Sequence, residues 1–303
     1  MRYAFIGLGN LGGHLAASLI RSGFTVTVHD LNRQAADRHV ALGAAWAASP
    51  AEAAAGADAA ITCLPSPNAS RAVLTGERGL LAGLKSGGTW IEMSTNDKDE
   101  IERIAALAAA KGIDTLEAPV TGGVHRAAAG EIAVLVGGDK KIFEAHRPAL
   151  QAMGGEIFHM GPLGSAAVIK IITNMLAFIH LVAAGEALML AKRGGLDLAQ
   201  AFAAIKASSG NSFVHETESQ VILNGSYNIG FTMDLACKDL GFALDFGRRF
   251  GVPLELAGMT EQTFIRARQQ FGGGAWSSMV VKLLEHALKT NLRARGFPAV
   301  LTE

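Results

Sequence analysis

Cysteine is scarce in this chain. Only Cys63 and Cys237 occur in 303 residues, far apart and without a CxxC pair. No disulfide framework or zinc ribbon is written here, and a reducing compartment, the cytoplasm, is expected. Histidine is thinly spread: none of the nine stands in HxxxH or HExxH spacing, which predicts no metal. Excess charge is missing too. The 27 Lys and Arg balance the 27 Asp and Glu, with no basic stripe for nucleic acid and no acidic tail for a charged partner. Within the long apolar stretch Ser165 to Arg193 the longest uncharged run, Ile171 to Gly185, has 15 residues, against the roughly 20 needed to span a bilayer. No membrane role follows. A single basic residue before a short apolar run and a Gly-rich turn is no signal peptide.

What is present is apolar and regularly punctuated. The chain is 50% hydrophobic and 18% charged, enough to bury sizeable cores. Arg2 to Ile6 reads as a buried parallel strand. Gly7-Leu8-Gly9-Asn10-Leu11-Gly12 follows directly, and Gly13 to Arg21 reads as a helix with Leu15, Leu19 and Ile20 inward. This is G-x-G-x-x-G between a strand and a helix: Gly7 for the tight turn, Gly9 for backbone approach to a pyrophosphate, Gly12 for helix-on-strand packing. Amides at the helix N-terminus then face phosphate. The next strand, Phe24 to His29, ends in Asp30 and Leu31, and Asp30 stands 18 residues beyond Gly12. A carboxylate there accepts from both ribose hydroxyls and repels a 2′-phosphate, which favours NAD, with NADP as the alternative because Arg33 offers a phosphate contact. Asp30 as a mere cap of a helix over Asn32 to Leu42 is the competing reading.

Strands at Ala59 to Cys63, Thr89 to Met93, Asp114 to Glu117, Ile132 to Val136 and Glu156 to Met160 alternate with helices after Pro50, at Asp97 to Lys111 and at Lys140 to Met153. Pro65 and Pro67 are expected to hold a loop at a strand end, where open α/β sheets bind ligands. Residues 1–163 thus form a dinucleotide-binding domain of Rossmann type, an α/β doubly wound parallel sheet. Residues 164–303 form an all-α domain that opens with a long interdomain helix over about 165–193. Helices follow at Leu198 to Lys206, Phe213 to Leu223, Thr232 to Phe250, Glu255 to Gln270 and Trp276 to Leu292. On the long helix Lys170 and Asn174 are four apart and share a face. A lysine in apolar surroundings loses hydration, and its pKa falls toward the range where it trades protons. Snorkelling of Lys170 to solvent, and simple backbone bonding by Asn174, are the bland alternatives.

Taken together, these pieces resemble the β-hydroxyacid dehydrogenase family, the group of 3-hydroxyisobutyrate dehydrogenase and tartronate semialdehyde reductase. Ile6 to Gly12 resembles its opening motif, with Leu11 where Met is usual. Ile61-Thr62-Cys63-Leu64-Pro65 resembles its cofactor strand, and Ala118-Pro119-Val120-Thr121-Gly122-Gly123 its substrate loop, with Thr121 for Ser. Gly161-x-x-Gly164 followed by Lys170 and Asn174 resembles its catalytic segment, and Lys238-Asp239-Leu240 its late motif. The resemblance implies hydride transfer between nicotinamide and the CH–OH of a small anionic β-hydroxyacid, or reduction of the matching semialdehyde. It implies Lys170 as general acid/base and Asn174 as orienter of the hydroxyl. Ser94, Thr121, Gly122 and Gly123 join Lys170 and Asn174 on the substrate. Leu64, Pro65, Thr95 and Lys238 join the glycine turn, Asp30 and Leu31 on the cofactor. It also implies a homodimer or homotetramer.

Departures concern the substrate. Thr173 stands where a second Asn is frequent, and Ser94-Thr95-Asn96-Asp97-Lys98 replaces Ser-Thr-Ile-Ser-Pro. His125 and Arg126 replace small residues, and Arg126 is either a partner for a second anionic group or a solvated helix residue. Phe231 either walls the pocket or packs in the core. Two other readings remain: a reductase of another carbonyl or an imine on the same scaffold, against which Lys170 argues, and a non-catalytic cofactor-binding protein.

Overall fold

The computed structural model of the chain describes residues 1–301. The chain divides into two compact units, Met1–Lys170 and the residues from Ile171 onward. In chain order the first contains β1 (Arg2–Ile6), α1 (Gly12–Arg21), β2 (Thr25–His29), α2 (Asp37–Ala41), β3 (Ala45–Trp46), α3 (Pro50–Ala54) and β4 (Ala59–Thr62). It continues with α4 (Pro67–Thr75), α5 (Leu80–Gly83), β5 (Thr89–Glu92), α6 (Lys98–Ala109), β6 (Asp114–Glu117), β7 (Val120–Thr121), α7 (Val124–Ala129), β8 (Ala133–Gly138), α8 (Lys140–Met153) and β9 (Glu156–Gly161). The helix α9 (Ser165–Arg193) begins here and runs on into the second unit.

The sheet order is β3-β2-β1-β4-β5-β6-β8-β7, with β9 paired to β8. Both faces are covered. Tyr3, Phe5, Ile61, Ile91 and Leu116 pack with Leu15, Leu19 and Phe143 on one side. Ala4, Ile6, Ala60 and Trp90 pack with Leu74, Ile101 and Ile104 on the other. Burial on both faces is why these strands read as near-continuous apolar runs.

The expected parallel sheet holds from β3 through β6 and fails beyond. β8 is antiparallel to β6 and β7, while β9 is parallel to β8. The physical reason is the link between β6 and β8. Its helix α7 has six residues, about 9 Å of rise, too short to carry the chain back across a sheet face.

Other differences are local. The helix expected over Asn32 to Leu42 is a 3₁₀ turn, Arg33–Ala36, followed by α2; Asn32 caps the turn by accepting the Gln34 N–H. Pro67 does not hold a loop. It is the first residue of α4, behind a Ser66 side chain that accepts the Ala69 N–H, because the fixed φ of proline suits that position. β3 and β7 were not foreseen, being two residues each and too short for a period to show.

The second unit continues α9 and adds α10 (Leu198–Lys206), α11 (Phe213–Asn224), α12 (Met233–Phe250), α13 (Glu255–Phe271) and α14 (Lys282–Ala287). Its core gathers Phe178, Leu181, Leu188, Ile222, Met233, Leu240 and Phe264. Gly185 lets the Val281 side chain against α9, since a Cβ there would lie 2.6 Å from Val281 Cγ2. By length and composition alone α9 is apolar enough to cross a membrane, a test that the core helix of a globular protein also passes.

The helix expected from Trp276 to Leu292 is shorter: a 3₁₀ turn at Ser277–Val281, then α14. Glu285 ends it. Its carboxylate accepts the Leu292 N–H at 2.6 Å, the Tyr227 hydroxyl at 2.5 Å and the Arg293 guanidinium at 3.0 Å. The chain reverses at Lys289, whose φ is +49°. Removing that buried acceptor orphans the Leu292 N–H and the Tyr227 hydroxyl and takes the carboxylate from Arg293, which keeps the Leu292 and Ile222 carbonyls, so Glu285→Ala should lower unfolding free energy in urea by roughly 3 kcal/mol. A loss below about 1 kcal/mol would show that the cluster is incidental.

Candidate active site

The end of β1 is built from main chain in contact with main chain. Gly7 has φ +98°, donates its N–H to the His29 carbonyl at 3.0 Å, and a Cβ on it would stand 2.3 Å from the Cys63 carbonyl oxygen. A Cβ on Gly12 would meet the Gly7 carbonyl oxygen at 2.2 Å. Gly9 differs. Nothing lies within 4 Å of its Cβ position, and it faces the start of α1, which has no side-chain cap and no acid in its first turn. A glycine with free space above it, at an uncapped helix N-terminus, suits a pyrophosphate.

Asp30 tightens this turn. Its Oδ2 accepts the Leu8 N–H at 2.7 Å and its Oδ1 the Asn32 N–H at 2.8 Å. The helix cap is Asn32, so capping is not the role of Asp30. Each of its oxygens keeps a lone pair for another donor. Leu31 beside it is fully exposed, at 100%. Arg33 is held by Asp37 at 2.8 Å and lies over the Trp46 ring at 4.6 Å.

At the ends of β4 and β5 the backbone N–H of Leu64 donates to Ser94 Oγ at 2.8 Å, and the Ser94 N–H donates to Glu92 Oε1 at 2.7 Å. Ser94 therefore ties two strand ends together, with Pro65 exposed on one side and Thr95 half-buried on the other. Burial pushes the Glu92 carboxyl up, against hydrogen bonding by Ser94, Ser70 and Thr62. Burial likewise pushes the Cys63 thiol up to about 12, so it stays a thiol. Asn96 follows with its amide buried and without a hydrogen-bond partner among the described residues. The loop expected to meet the substrate begins in β7 and turns through Gly122 and Gly123, at φ +124° and +90°. Arg126 Cδ and the His125 ring fold back over these two glycines, 3.1 and 3.0 Å from where Cβ atoms would sit. Burial, with the Arg126 charge, pushes the His125 imidazole down.

Lys170 is the last residue of the first unit and is 7% exposed, so it is not a snorkelling side chain. One turn before it, the amides of Ala166 and Ala167 donate to the Glu117 carboxylate at 2.8 and 3.0 Å. Sequence reasoning passed over Glu117. In the second unit, Asn174 is buried and its Nδ2 donates to Asp239 Oδ2 at 2.6 Å. The Lys238 ammonium lies 2.8 Å from Asp239 Oδ1, a charge contact that is not aligned as a hydrogen bond. Asp239 was also passed over, although the Lys238-Asp239-Leu240 motif contains it. Phe231 packs at 5.9 Å from Phe178, as a core residue does. No three His, Cys, Asp or Glu side chains gather as a metal site among the described residues.

A strand order that reverses at β1, with a glycine turn at its carboxyl end, is the arrangement of a dinucleotide-binding fold. The chain belongs to the β-hydroxyacid dehydrogenase family. Residues 2–161 match the NAD binding domain of 6-phosphogluconate dehydrogenase, and residues 164–284 the NAD-binding domain of NADP-dependent 3-hydroxyisobutyrate dehydrogenase. The chain is 35% identical to the 2-(hydroxymethyl)glutarate dehydrogenase of Eubacterium barkeri, over 94% of this chain and 95% of that protein. It is 38% identical to the 3-hydroxyisobutyrate dehydrogenase of Pseudomonas aeruginosa, over 80% and 83% respectively. The solved structure of Mycobacterium tuberculosis 3-hydroxyisobutyrate dehydrogenase with L-serine superposes with a TM-score of 0.83 at 32% identity, covering 93% of this chain and 98% of that one. This protein is an NAD(P)-dependent hydroxyacid dehydrogenase.

The glycines separate by what surrounds them. Gly9→Ala should fold as the wild type does and weaken NADH affinity at least about 10-fold in a fluorescence titration. Gly12→Ala should destabilise the fold by at least about 1 kcal/mol. Undiminished NADH binding by the Gly9 variant would remove the phosphate role from that turn.

Proposed function

We propose that this enzyme oxidises a small β-hydroxyacid with a primary hydroxyl one carbon from the carboxylate-bearing carbon, or reduces the matching semialdehyde. The names of several relatives support that substrate class: 2-(hydroxymethyl)glutarate, 3-hydroxyisobutyrate and L-serine share this arrangement, whereas L-threonate, named by another relative, carries a secondary hydroxyl at that carbon. The bound nicotinamide supplies hydride acceptance and donation. The chain supplies the rest. The turn from Gly7 through Leu8, Gly9, Asn10 and Leu11 to Gly12 holds the pyrophosphate, and Asp30 and Leu31 the adenosine ribose. Leu64, Pro65, Thr95 and Lys238 complete the cofactor contacts. Ser94, Thr121 and the amides of Gly122 and Gly123 hold the substrate carboxylate. Lys170 Nζ takes the hydroxyl proton during oxidation and returns it to the oxygen during reduction. Asn174 orients the hydroxyl without adding charge.

The observation that carries this reading is Lys170 itself, an amine buried to 7% exposure on a helix with Asn174 one turn further on. A buried lysine with no chemical duty is an expensive residue to keep. Asp30 supports a preference for NAD, since its carboxylate repels a 2′-phosphate. The two free thiols support the cytoplasm as its location. Exposed Ile172, Leu176 and Leu190 on α9 support a homodimer or homotetramer, which light scattering reads directly.

Lys170→Ala should cut kcat at least about 100-fold while NADH still binds; near-normal turnover would exclude Lys170 from the mechanism. Asp30→Asn should raise the ratio of kcat/KM with NADP to that with NAD by about 10-fold or more. An unchanged ratio would leave Asp30 as the anchor of the glycine turn only. A panel of short β-hydroxyacids assayed by NADH absorbance, including one with a second carboxylate, identifies the substrate and tests Arg126.

A further inference from the structure

The carboxylate of Glu117 ends β6 and closes on the first turn of α9. Oε1 accepts the Ala166 N–H at 2.8 Å, and Oε2 accepts the Ala167 N–H at 3.0 Å. Both amides are among the donors that a helix start leaves without an intrahelical partner. Room for this contact comes from Gly137, opposite Glu117 in register on β8: a Cβ there would stand 2.2 Å from Glu117 Oε1. Glu117 itself is 2% exposed. Lys170 lies four residues beyond Ala166, about one helical turn, so the clamp and the amine share one stretch of helix.

We propose that Glu117 is the positioning residue for Lys170: its carboxylate clamps the first turn of α9, sets where the lysine side chain starts, and loosens when protonated. The inference rests on the reading of Lys170 as proton carrier. Its chemistry is simple. A carboxylate accepts strongly at both oxygens, whereas a carboxylic acid carries a hydrogen on one of them and leaves one of the two amides with a much weaker, uncharged acceptor.

The surroundings put that change in the working range. Burial pushes the Glu117 carboxyl up to about 7, opposed by the N–H groups of Ala166, Ala167 and Gly164 and assisted by the charge of Glu102. The titratable and charged groups around it are few. Glu102 and Lys98 of α6, paired at 2.8 Å, lie against Gly164. Glu92 of β5 is its register partner and, on a parallel ladder, points to the same face; two adjacent carboxyls resist being charged together. Lys170 follows on α9. The clamp is therefore complete above about pH 7 and loosened below it.

The test compares wild type, Glu117→Gln and Glu117→Asp from about pH 5.5 to 9, with cofactor saturating. Glu117→Gln, a permanent stand-in for the protonated form, should lower kcat at least about 10-fold near pH 8.5 with the KM for cofactor unchanged. Its deficit should shrink toward pH 6, where the wild type loosens too. Glu117→Asp keeps the charge and should recover part of kcat with the pH dependence retained. A deficit constant across pH, or none, overturns the inference. If Glu117→Gln does not fold, hydrogen exchange of the wild type decides: after correction for intrinsic rates, amides 166 and 167 should lose protection below about pH 7, and unchanged protection overturns it. Lys170→Ala keeps the two readings apart. An active Lys170 variant sinks the proton-carrier assignment, whereas an inactive one beside a pH-independent Glu117→Gln deficit sinks the clamp alone.

Discussion

The nucleotide-binding unit depends on bare main chain meeting main chain at the end of β1. That strand is hydrogen-bonded on both edges, to β2 and to β4, and the ladder runs past it: Gly7 donates to the His29 carbonyl, and Cys63 donates to the Ile6 carbonyl. The sheet order turns around at this strand, so the helices on its two sides diverge and a crevice opens at the carboxyl ends. Only glycine fits the contacts that line it, because side chains at positions 7 and 12 would occupy the space of carbonyl oxygens. Asp30 then braces the turn through the Leu8 amide. A carboxylate already committed to one backbone donor on each oxygen is held rigidly, and a rigid acceptor is the kind that discriminates between ligands.

Polar groups reach the interior of this unit mainly where the strands stop. Thr62, Glu92 and Glu117 stand in a row across β4, β5 and β6 on one face, all buried. Each holds something outside the sheet or beside it. Thr62 accepts the Trp90 indole N–H at 2.8 Å, Glu92 the amide of Ser94, and Glu117 the start of α9. Below them on β4 and β5 the same face is apolar, at Ala60 and Trp90. These bonds tie the segments just beyond the strand ends to the sheet beneath them.

Much of this was legible in the sequence. The period of apolar residues marked the main strands and the long helix, and the glycine spacing marked the turn, because both signals are local. Some helix starts were legible for the same reason, as where Asp97 accepts the Asp99 and Glu100 amides two and three residues on, although the start of α4 at Pro67 was not. What escaped was set by distant partners. Glu117 meets amides 49 and 50 residues away, Asp239 an amide side chain 65 away, and Glu285 a hydroxyl 58 away. A carboxylate bonded at that range looks, in sequence, like any surface acid. The reversal of β8 escaped because it follows from the shortness of α7, and six residues of helix carry little periodic signal.

Asn174 and Asp239 touch oxygen to nitrogen at 2.6 Å, both buried, and this contact constrains how the family can vary. An acid at position 174 would set two carboxylates face to face, and one would have to keep a proton. An apolar residue at position 239 would take away the acceptor that fixes the buried Asn174 amide. Neither change is tolerable alone, so the two positions are expected to drift only as a pair. One of them lies on the helix that carries the lysine and the other in a motif 65 residues later, which makes their covariation a signature that homologous sequences would carry.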